Sequence, residues 1–426
     1  MLAVYLVAGW EWGRPLALGA WYLAQGYTLA FCAYVLAPAG LYLLRARAVA
    51  RLFAPPPPAP ALTDFILLVP AHNEERLLPG LLASIGQLAY PPERYTVLVV
   101  ADNCTDHTAR LARQAGAACL ERRTAHPSSK AQALRYATQV LAVRPGWAQT
   151  VVCVLDADCR LDPQFLTGLN QHFAQAGAAP VVQASRRVAN AFASDVTLLD
   201  AAAEALRQRV GAATRRLLGL ESFLFGLGCC ARGFVFSCLV VLPEATLAED
   251  KEWKAYLTRH RVPVAYCPAA SLRYEAVHSG PAFARQRQRW LAGQLAAART
   301  HGLAMLGQGL RRGWLSQLDF ACELLLPPRS VLLVVALGFG AAGLAGAPAV
   351  LLGGGGWLAL AAALLGYGAL GLRLVGAGPR HLWALLTGGR LVVGVVRSAV
   401  LILLGYKDKE WKPTRVAPAA AGKKLG

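Results

Sequence analysis

Short apolar runs and helical patterns alternate through the middle of the chain. Six apolar runs have the length and composition of buried strands, at 65–70, 96–101, 117–121, 150–155, 180–184 and 262–267. Apolar residues at helical spacing predict helices between them, at 75–87, 106–115, 130–141 and 163–175. Because strands that alternate with helices usually pair in parallel beneath them, the pattern predicts an α/β fold with a mostly parallel, Rossmann-like sheet.

Long uncharged stretches lie on both sides of this region. Residues 16–44 carry no charged side chain, and Arg45, Arg47 and Arg51 follow at once. About 20 apolar residues cross a bilayer, and arginines beside such a segment favour its cytosolic side. Residues 330–372 are also uncharged and are interrupted by glycines and a proline. They are long enough for about two crossings, so we predict a helical hairpin that returns to the cytosol.

Two more apolar stretches predict helices at the membrane surface. Residues 282–303 place arginines on one side of a helix and Trp290 on another, which is typical of a helix lying in the plane of the interface. Residues 391–404 are apolar, but Arg390 and Arg397 share one helical face. We therefore expect an interfacial or bundle-packed helix there.

The composition fits a membrane protein that carries a folded domain. Hydrophobic residues make up 56 % of the 426 and charged residues 16 %, which is too apolar for an ordinary soluble protein. The net charge of +19 gathers at the margins of the apolar stretches and in the C-terminal tail. This placement indicates attraction to anionic lipid headgroups. No recognised nucleic-acid motif accompanies the charge, so we expect membrane lipids as partners and no nucleic acid.

Polar clusters follow three of the predicted strands. Asp156 and Asp158 come after the run 150–155, and the segments 70–74 and 102–106 follow two others. Two aspartates at i and i+2 of an extended segment point the same way. They offer hard oxygen ligands suited to Mg²⁺ or Mn²⁺ carrying phosphates. Since ligands of such sheets bind at the carboxyl ends of the strands, we expect the three clusters to converge on one cleft.

Two later motifs complete the set. Glu249 and Asp250 form an acidic pair, and Gln286, Arg289 and Trp290 stand at i, i+3 and i+4 of a predicted helix, on one face. A guanidinium suits phosphate geometry better than an ammonium. Structural roles stay open for these residues. An acidic residue such as Glu249 is favoured in the first turn of a helix by the helix dipole. A tryptophan beside arginines, such as Trp290, is common at membrane surfaces.

In this order, the motifs resemble those of the membrane-bound family 2 glycosyltransferases. These enzymes have the GT-A fold and include cellulose, chitin, hyaluronan and poly-N-acetylglucosamine synthases. The resemblance spans about residues 64 to 300 and extends to the flanking membrane segments. It implies a nucleotide-sugar donor, a glycan or lipid acceptor, a Mg²⁺ or Mn²⁺ cofactor and an inverting transfer.

The resemblance also implies roles for individual residues. Asp250 would be the general base, and Asp156 and Asp158 would hold the metal. The residues implied in donor binding are Pro70, His72, Glu74, Asp102, Lys130, Asp156 and Arg289. Those implied in acceptor binding are Gly228, Cys229, Gln286 and Trp290.

The chain departs from the family pattern at three of these motifs. His72 stands where a tyrosine is usual, Ala131 where a glycine follows the lysine, and Ala248 where a threonine precedes the acidic pair. Stacking on the base by His72 and phosphate binding by Lys130 are therefore open. Asp102 also has a simpler role open to it as a helix cap.

The resemblance and the composition together predict six parts of the chain. They are an N-terminal transmembrane segment (1–53), a Pro-rich linker (54–61), a GT-A catalytic domain (62–280), an interfacial helix with the Q-x-x-R-W motif (281–313), C-terminal transmembrane and interfacial helices (314–405) and a basic cytosolic tail (406–426). We expect a multi-pass protein of the cell membrane whose catalytic domain is cytosolic.

Three functions are weighed on this basis. The first is a processive polysaccharide synthase, favoured by Q-x-x-R-W and open to accessory export subunits. The second is a transferase that adds a single sugar to a membrane lipid. The third is a non-catalytic scaffold of the same fold, which has no physical use for the retained acidic and Q-x-x-R-W residues.

Overall fold

The computed structural model describes residues 2–52, 61–125, 129–241, 248–277, 280–347 and 350–387. The predicted helix at 391–404 and the tail 406–426 lie outside these residues, as does all of the linker 54–61 except its last residue.

An eight-stranded sheet forms the centre of the domain. Its strands are β1 (Phe65–Ala71), β2 (Tyr95–Asp102), β3 (Ala118–Arg122), β4 (Val151–Val154), β5 (Cys159–Leu161), β6 (Val181–Val188), β7 (Cys229–Arg232) and β8 (Val264–Tyr274). Their order is β3-β2-β1-β4-β7-β6-β8-β5. The first four strands of this order are parallel, as are β6 and β8, whereas β7 is antiparallel to both neighbours and β5 to β8.

The predicted α/β fold is confirmed, and the sheet is mixed. All six predicted strands are present. The sequence pattern does not predict β5 or β7, because they have only three and four residues and show no recognisable alternation.

Helices cover both faces of the sheet. Phe65, Leu67 and Val69 of β1 face a core shared with α3 (Leu78–Ile85), α4 (Thr108–Gln114) and α6 (Phe165–Phe173). Ile66 and Leu68 face the opposite core, which is shared with α5 (Lys130–Leu141), α9 (Gly233–Leu239) and α10 (Glu249–Arg259). Every β1 residue is buried, as expected for a strand covered on both faces.

The remaining helices lie around the domain or extend from it. They are α1 (Leu2–Leu44), α2 (Ala46–Leu52), α7 (Asp195–Ala205), α8 (Ala212–Leu217), α11 (Gly280–Ala297), α12 (Leu303–Arg312), α13 (Leu315–Leu325), α14 (Arg329–Leu344), α15 (Gly353–Leu374) and α16 (Trp383–Thr387). π-helical turns at Leu206–Gly211 and Ala298–Gly302 join α7 to α8 and α11 to α12.

Within the described part of the chain, two helical stretches are long and apolar enough to cross a membrane, Leu16–Leu44 and Gly353–Leu374. A third crossing is obtained if α13 and α14, bent by 74°, count as one span. The two arms of the predicted hairpin correspond to α14 and α15, which pack together through Phe339 and Trp357, with ring centroids 4.7 Å apart. α1 packs against both arms.

Candidate active site

Two carboxylates follow the end of β4. Asp156 and Asp158 are partly exposed, whereas Ala157 between them is buried in the core. The two residues lie in a turn rather than in an extended segment, because the Cys159 amide donates to the Asp156 carbonyl at 3.1 Å. The predicted pair therefore lies at the carboxyl edge of the sheet.

Lys130 is the first residue of α5 and points to this pair. Its Nζ lies 2.5 Å from Oδ1 of Asp156 and 3.9 Å from Oε1 of Glu249. Ser129 caps the helix by accepting a hydrogen bond from the Gln132 amide. Burial opposes the charge on Lys130, but Asp156 and then Glu249 outweigh it and raise its pKa. Lys130 is therefore an ammonium that is 17 % exposed and lies between two acidic side chains.

Glu249 joins the cluster from the start of α10. Burial raises the pKa of its carboxyl, Lys130 lowers it, and neighbouring Asp250 raises it again. Asp250 accepts a hydrogen bond from the Lys251 amide at 2.9 Å. Sequence reasoning assigned no site role to Glu249, because an acidic residue at a helix start is already explained by the helix dipole.

The loop before β7 approaches these side chains closely. A Cβ at Gly226 would lie 2.8 Å from Oε1 of Glu249 and 3.2 Å from Nζ of Lys130. Any residue other than glycine at position 226 would press its Cβ against Glu249 and Lys130. Gly228 has a φ of +75°, and its amide donates to the Val154 carbonyl at 2.9 Å. Cys229 is fully buried in the core, and burial raises the pKa of its thiol, so it is protonated.

The loops after β1 and β2 are linked by hydrogen bonds. Nδ1 of His72 lies 2.7 Å from the Asp102 carbonyl oxygen, and the Glu74 amide donates to Thr108 Oγ1 at 2.8 Å. Pro70 is buried within β1, and His72 and Glu74 are partly exposed. The structure therefore brings these predicted donor-binding residues to neighbouring strand ends.

Asp102 is fully buried and has a basic partner that the sequence analysis missed. Arg122 NH1 donates to Asp102 Oδ1 at 2.5 Å, and Arg122 NH2 donates to Gln132 Oε1 at 2.7 Å. Asp102 and Arg122 are register partners of β2 and β3. The sequence indicates this pair only through Arg122, a basic residue at the end of the strand that follows β2.

The Q-x-x-R-W helix is α11, which packs against α10 and α13. Gln286 is buried, Arg289 is partly exposed and the Trp290 side chain is 42 % exposed. The guanidinium of Arg287 lies 4.9 Å from the Trp290 ring centroid and also pairs with Asp200. Packing on α10 connects this helix to the element that carries Glu249 and Asp250.

The donor set fits a hard divalent cation that completes its shell with phosphate. Among the residues that the structure describes, no three or more His, Cys, Asp and Glu side chains gather as a metal-binding cluster. Asp156 and Asp158, both partly exposed after β4, are the residues that would hold such an ion. Mg²⁺ is commonly held by one or two carboxylates with substrate phosphates and water.

Comparison with known proteins finds relatives among the glycosyltransferases. The curated Beta-monoglucosyldiacylglycerol synthase of Nostoc sp. (strain PCC 7120) is 27 % identical over 237 residues, which are 53 % of this chain and 48 % of the relative. The chain therefore matches about half the length of that relative.

A solved structure with a similar fold is the mannosyltransferase PcManGT from Pyrobaculum calidifontis in complex with GDP-Man and Mn²⁺. The TM-score is 0.54 with 19 % identity, and the match covers 90 % of this chain and 100 % of the other. The family described as Glycosyltransferase like family 2 matches residues 60–293. Because this match covers more than half of the chain, the protein belongs to the glycosyltransferase like family 2 and has the GT-A fold.

Proposed function

We propose that the protein is an inverting, divalent-metal-dependent glycosyltransferase that moves a sugar from a nucleotide donor to a membrane-borne acceptor. The supporting observation is the cluster of Asp156, Lys130 and Glu249 at the end of β4. An ammonium between carboxylates, at the strand ends of a GT-A sheet, suits the binding of a cation and a diphosphate together.

The donor would lie along the carboxyl ends of β1, β2 and β4. His72 and Glu74 on the loop after β1 would contact the nucleoside, with Pro70 and the Asp102–Arg122 pair at the ends of β1 and β2 beside them. Lys130 and Arg289 would contact the diphosphate, where positive charge is most useful. Asp156 would serve both the nucleotide and the metal.

Asp156 and Asp158 would hold Mg²⁺ or Mn²⁺. When bound, such an ion neutralises the charge that develops on the departing nucleoside diphosphate. Lys130 would support the same charge from the other side of Asp156. Its short contact with that carboxylate keeps an ammonium at the site when no donor is bound.

The acceptor would approach from the side of α10 and α11. Asp250 would accept the proton of the attacking hydroxyl as that oxygen bonds to the anomeric carbon and the diphosphate leaves from the opposite face. This displacement inverts the anomeric configuration. Gln286 and Trp290 would line the acceptor path, and the loop at Gly228 and Cys229 would form its floor.

Two acceptor classes have support. A lipid acceptor is favoured by the similarity to a glycolipid synthase and by the 42 % exposed Trp290 on a helix close to the membrane helices. A growing polysaccharide is favoured by the Q-x-x-R-W motif, and export subunits would then be partners. We favour the lipid, because the helix that carries Trp290 offers a route for an acceptor held in the bilayer.

The domain boundaries fit this function. We propose that residues 1–53 and 314–405 hold the protein in the cell membrane, with the catalytic domain 62–280 and the helix 281–313 on the cytosolic face. The linker 54–61 and the basic tail 406–426 would join and flank these parts. The arginines after residue 44 support this orientation.

One experiment tests the activity and the acceptor class together. Membranes that contain the protein are incubated with Mn²⁺ and each of a panel of radiolabelled nucleotide sugars, and the product is separated into chloroform-soluble lipid and high-mass polymer. We expect label in the lipid fraction, which chelation of the metal abolishes. Label in polymer would identify a polysaccharide synthase instead, and no transfer from any donor would contradict the proposed function.

A further inference from the structure

The two halves of the candidate site lie on helices that are far apart along the chain. Asp250 is at the start of α10, whereas Gln286, Arg289 and Trp290 are on α11. Strand β8 lies between the two helices in sequence, so the peptide chain alone does not fix their distance. Both helices pack against α13.

The side chain of Glu323 on α13 holds the start of α10. Its Oε1 accepts a hydrogen bond from Nζ of Lys251 at 2.6 Å, and its Oε2 lies 3.6 Å from Arg215 NH2. Lys251 and Glu323 are 12 % and 18 % exposed. Lys251 directly follows Asp250, and its amide donates to the Asp250 carboxylate. A shift of Lys251 therefore moves the proposed base.

The backbone carbonyl groups of Glu323 and Leu324 are hydrogen-bonded to α11. Nε2 of Gln294 donates to the carbonyl oxygens of Glu323 and Leu324, at 2.8 and 2.9 Å. In a continuing helix these carbonyls would accept from the amides four residues later, but those residues are Pro327 and Pro328, which have no N–H. Pro327 and Pro328 thus leave two backbone carbonyl oxygens without a helical donor, and the side-chain amide of Gln294 donates to both.

Gln294 transmits this restraint to the acceptor side of the site. It lies four residues after Trp290, hence one turn away on the same face of α11. α13 is in turn attached to the first membrane helix, because Tyr34 donates to Asp319 Oδ1 at 2.9 Å and Tyr27 to the Leu325 carbonyl at 2.7 Å. The contacts of α13 therefore fix α10 and α11 relative to each other and to α1.

We propose that Glu323 is a positioning residue, which sets the distance between Asp250 and the helix that carries Trp290. The inference rests on the proposed function, since it assigns Asp250 and Trp290 to the reaction. Glu323 itself touches neither substrate. It acts through Lys251 on one side and through Gln294 on the other.

The test compares Glu323→Gln, Lys251→Met and the double variant in the purified full-length protein. A misplacement of about 1 Å costs up to about 10²-fold in rate, so we expect each single variant to lower kcat at least about tenfold. The Kd for the free nucleoside should change less than about twofold, because the loops proposed to surround the nucleoside follow β1 and β2, away from α10 and α11. If Glu323 acts through Lys251, the double variant should be no slower than the slower single one.

Glu221→Gln provides the matched control. Glu221 pairs with Lys254 at 2.5 Å, which is another largely buried ion pair on α10, but Lys254 lies one turn after Asp250 rather than next to it. The Glu221 amide donates to Ser316 of α13 at 3.4 Å, and Glu221→Gln leaves this backbone contact in place. We expect it to lower Tm about as much as Glu323→Gln and to leave kcat within about twofold. An unchanged kcat in Glu323→Gln, additive losses in the double variant, or an equal loss of kcat in Glu221→Gln would each overturn the inference.

Gln294→Leu covers the case in which Glu323→Gln does not fold. It removes both bonds to α13 without leaving a buried charge, and it should also lower kcat at least about tenfold. A normal kcat in this variant would overturn the inference independently. Two results are distinguishable. If the wild-type protein transfers no sugar, the proposed function is wrong. If the wild-type protein is active and the variants have the same kcat, the positioning role of Glu323 is wrong.

Discussion

The ammonium nitrogen of Lys130 lies 2.5 Å from Oδ1 of Asp156, the first carboxylate of the D-x-D motif. The same nitrogen is 3.9 Å from Glu249, so one cation serves two acidic residues from different elements. A divalent ion that takes Asp156 as a ligand must share this carboxylate with Lys130. Under the proposed metal role of Asp156, the metal and the lysine would compete before the donor binds and would act together once a diphosphate is present.

Replacing Lys130 by Met should separate these two effects. Without the ammonium, Asp156 and Glu249 present uncompensated negative charge, so we expect Mn²⁺ in the absence of nucleotide to bind about tenfold more tightly. Donor use should weaken, with kcat/KM falling at least about tenfold, because the diphosphate loses a charged partner. Free Mn²⁺ measured by electron paramagnetic resonance and steady-state kinetics check the two parts.

Arg94→Met is the control for net charge, since Arg94 forms an exposed pair with Asp64 at the start of β1 and β4, whereas Asp156 follows the end of β4. It should leave both quantities unchanged. Equal Mn²⁺ affinity in wild type and Lys130→Met would show that the lysine does not compete for Asp156.

Asp250→Asn tests the proposed base. Loss of a general base typically costs about 10²–10⁴-fold, so we expect kcat to fall by that amount while the donor KM stays within about twofold. Glu252→Gln is the matched control, because it lies in the same first turn of α10 but hydrogen-bonds His301 at 2.8 Å. If both variants lost activity equally, the acidic start of the helix rather than the base would be responsible.

Gly226→Ala tests the close approach of the loop to the cluster. The new methyl would meet the ends of Glu249 and Lys130, which are flexible and able to move. We therefore expect activity to fall at least about tenfold by displacement of these groups, with little change in Tm.

Gly168→Ala should behave in the opposite way. Its methyl would lie 2.7 Å from the backbone of Ala269, which is held in the sheet. This change should lower Tm clearly and leave the KM for the donor unchanged in the protein that folds. A large loss of Tm in Gly226→Ala would contradict our description of the loop.

Much of this architecture could be predicted because each part depends on local pattern. Six of the eight strands follow from apolar runs, and the D-x-D position follows from the end of one of them. Lys130 was predicted to bind the donor phosphates, and its Nζ lies 2.5 Å from Asp156. β7 could not be predicted, since its four residues gain strand structure only by pairing with β4 and β6.

The partners of the site residues depended on distant contacts. In the sequence, Glu249 has no feature beyond an acidic residue at the start of a helix. Its position in the site follows from Lys130, which lies 3.9 Å away although it is more than a hundred residues distant in sequence. Arg122 and Glu323 are likewise unremarkable in the sequence, because their roles arise from the register of β2 with β3 and from the packing of α13. Residue types indicated the chemistry, and tertiary packing determined which groups meet.

Glu204 provides a prediction on stability and pH. Its side chain is 6 % exposed, and its Oε1 accepts from Arg186 NH2 at 2.6 Å while Oε2 pairs with Arg207. Burial opposes ionisation of Glu204, but Arg186 and Arg207 outweigh it and lower its pKa from 4.5 to about 2. A carboxyl whose pKa is lower in the folded state stabilises the fold above its unfolded pKa, and this stabilisation is lost as the pH falls from about 4.5 toward 2.

Glu204→Gln should therefore be less stable than wild type at pH 7, by about 3 kcal/mol, as expected when a buried ion pair loses one partner. The difference should shrink below about pH 4.5, because the wild-type protein then also loses the charge. Thermal unfolding of the purified protein between pH 7 and 3.5 measures this, with Glu93→Gln as an exposed control that changes neither curve. A difference in Tm that stayed constant over this range would show that packing of Glu204, rather than its charge, stabilises the fold.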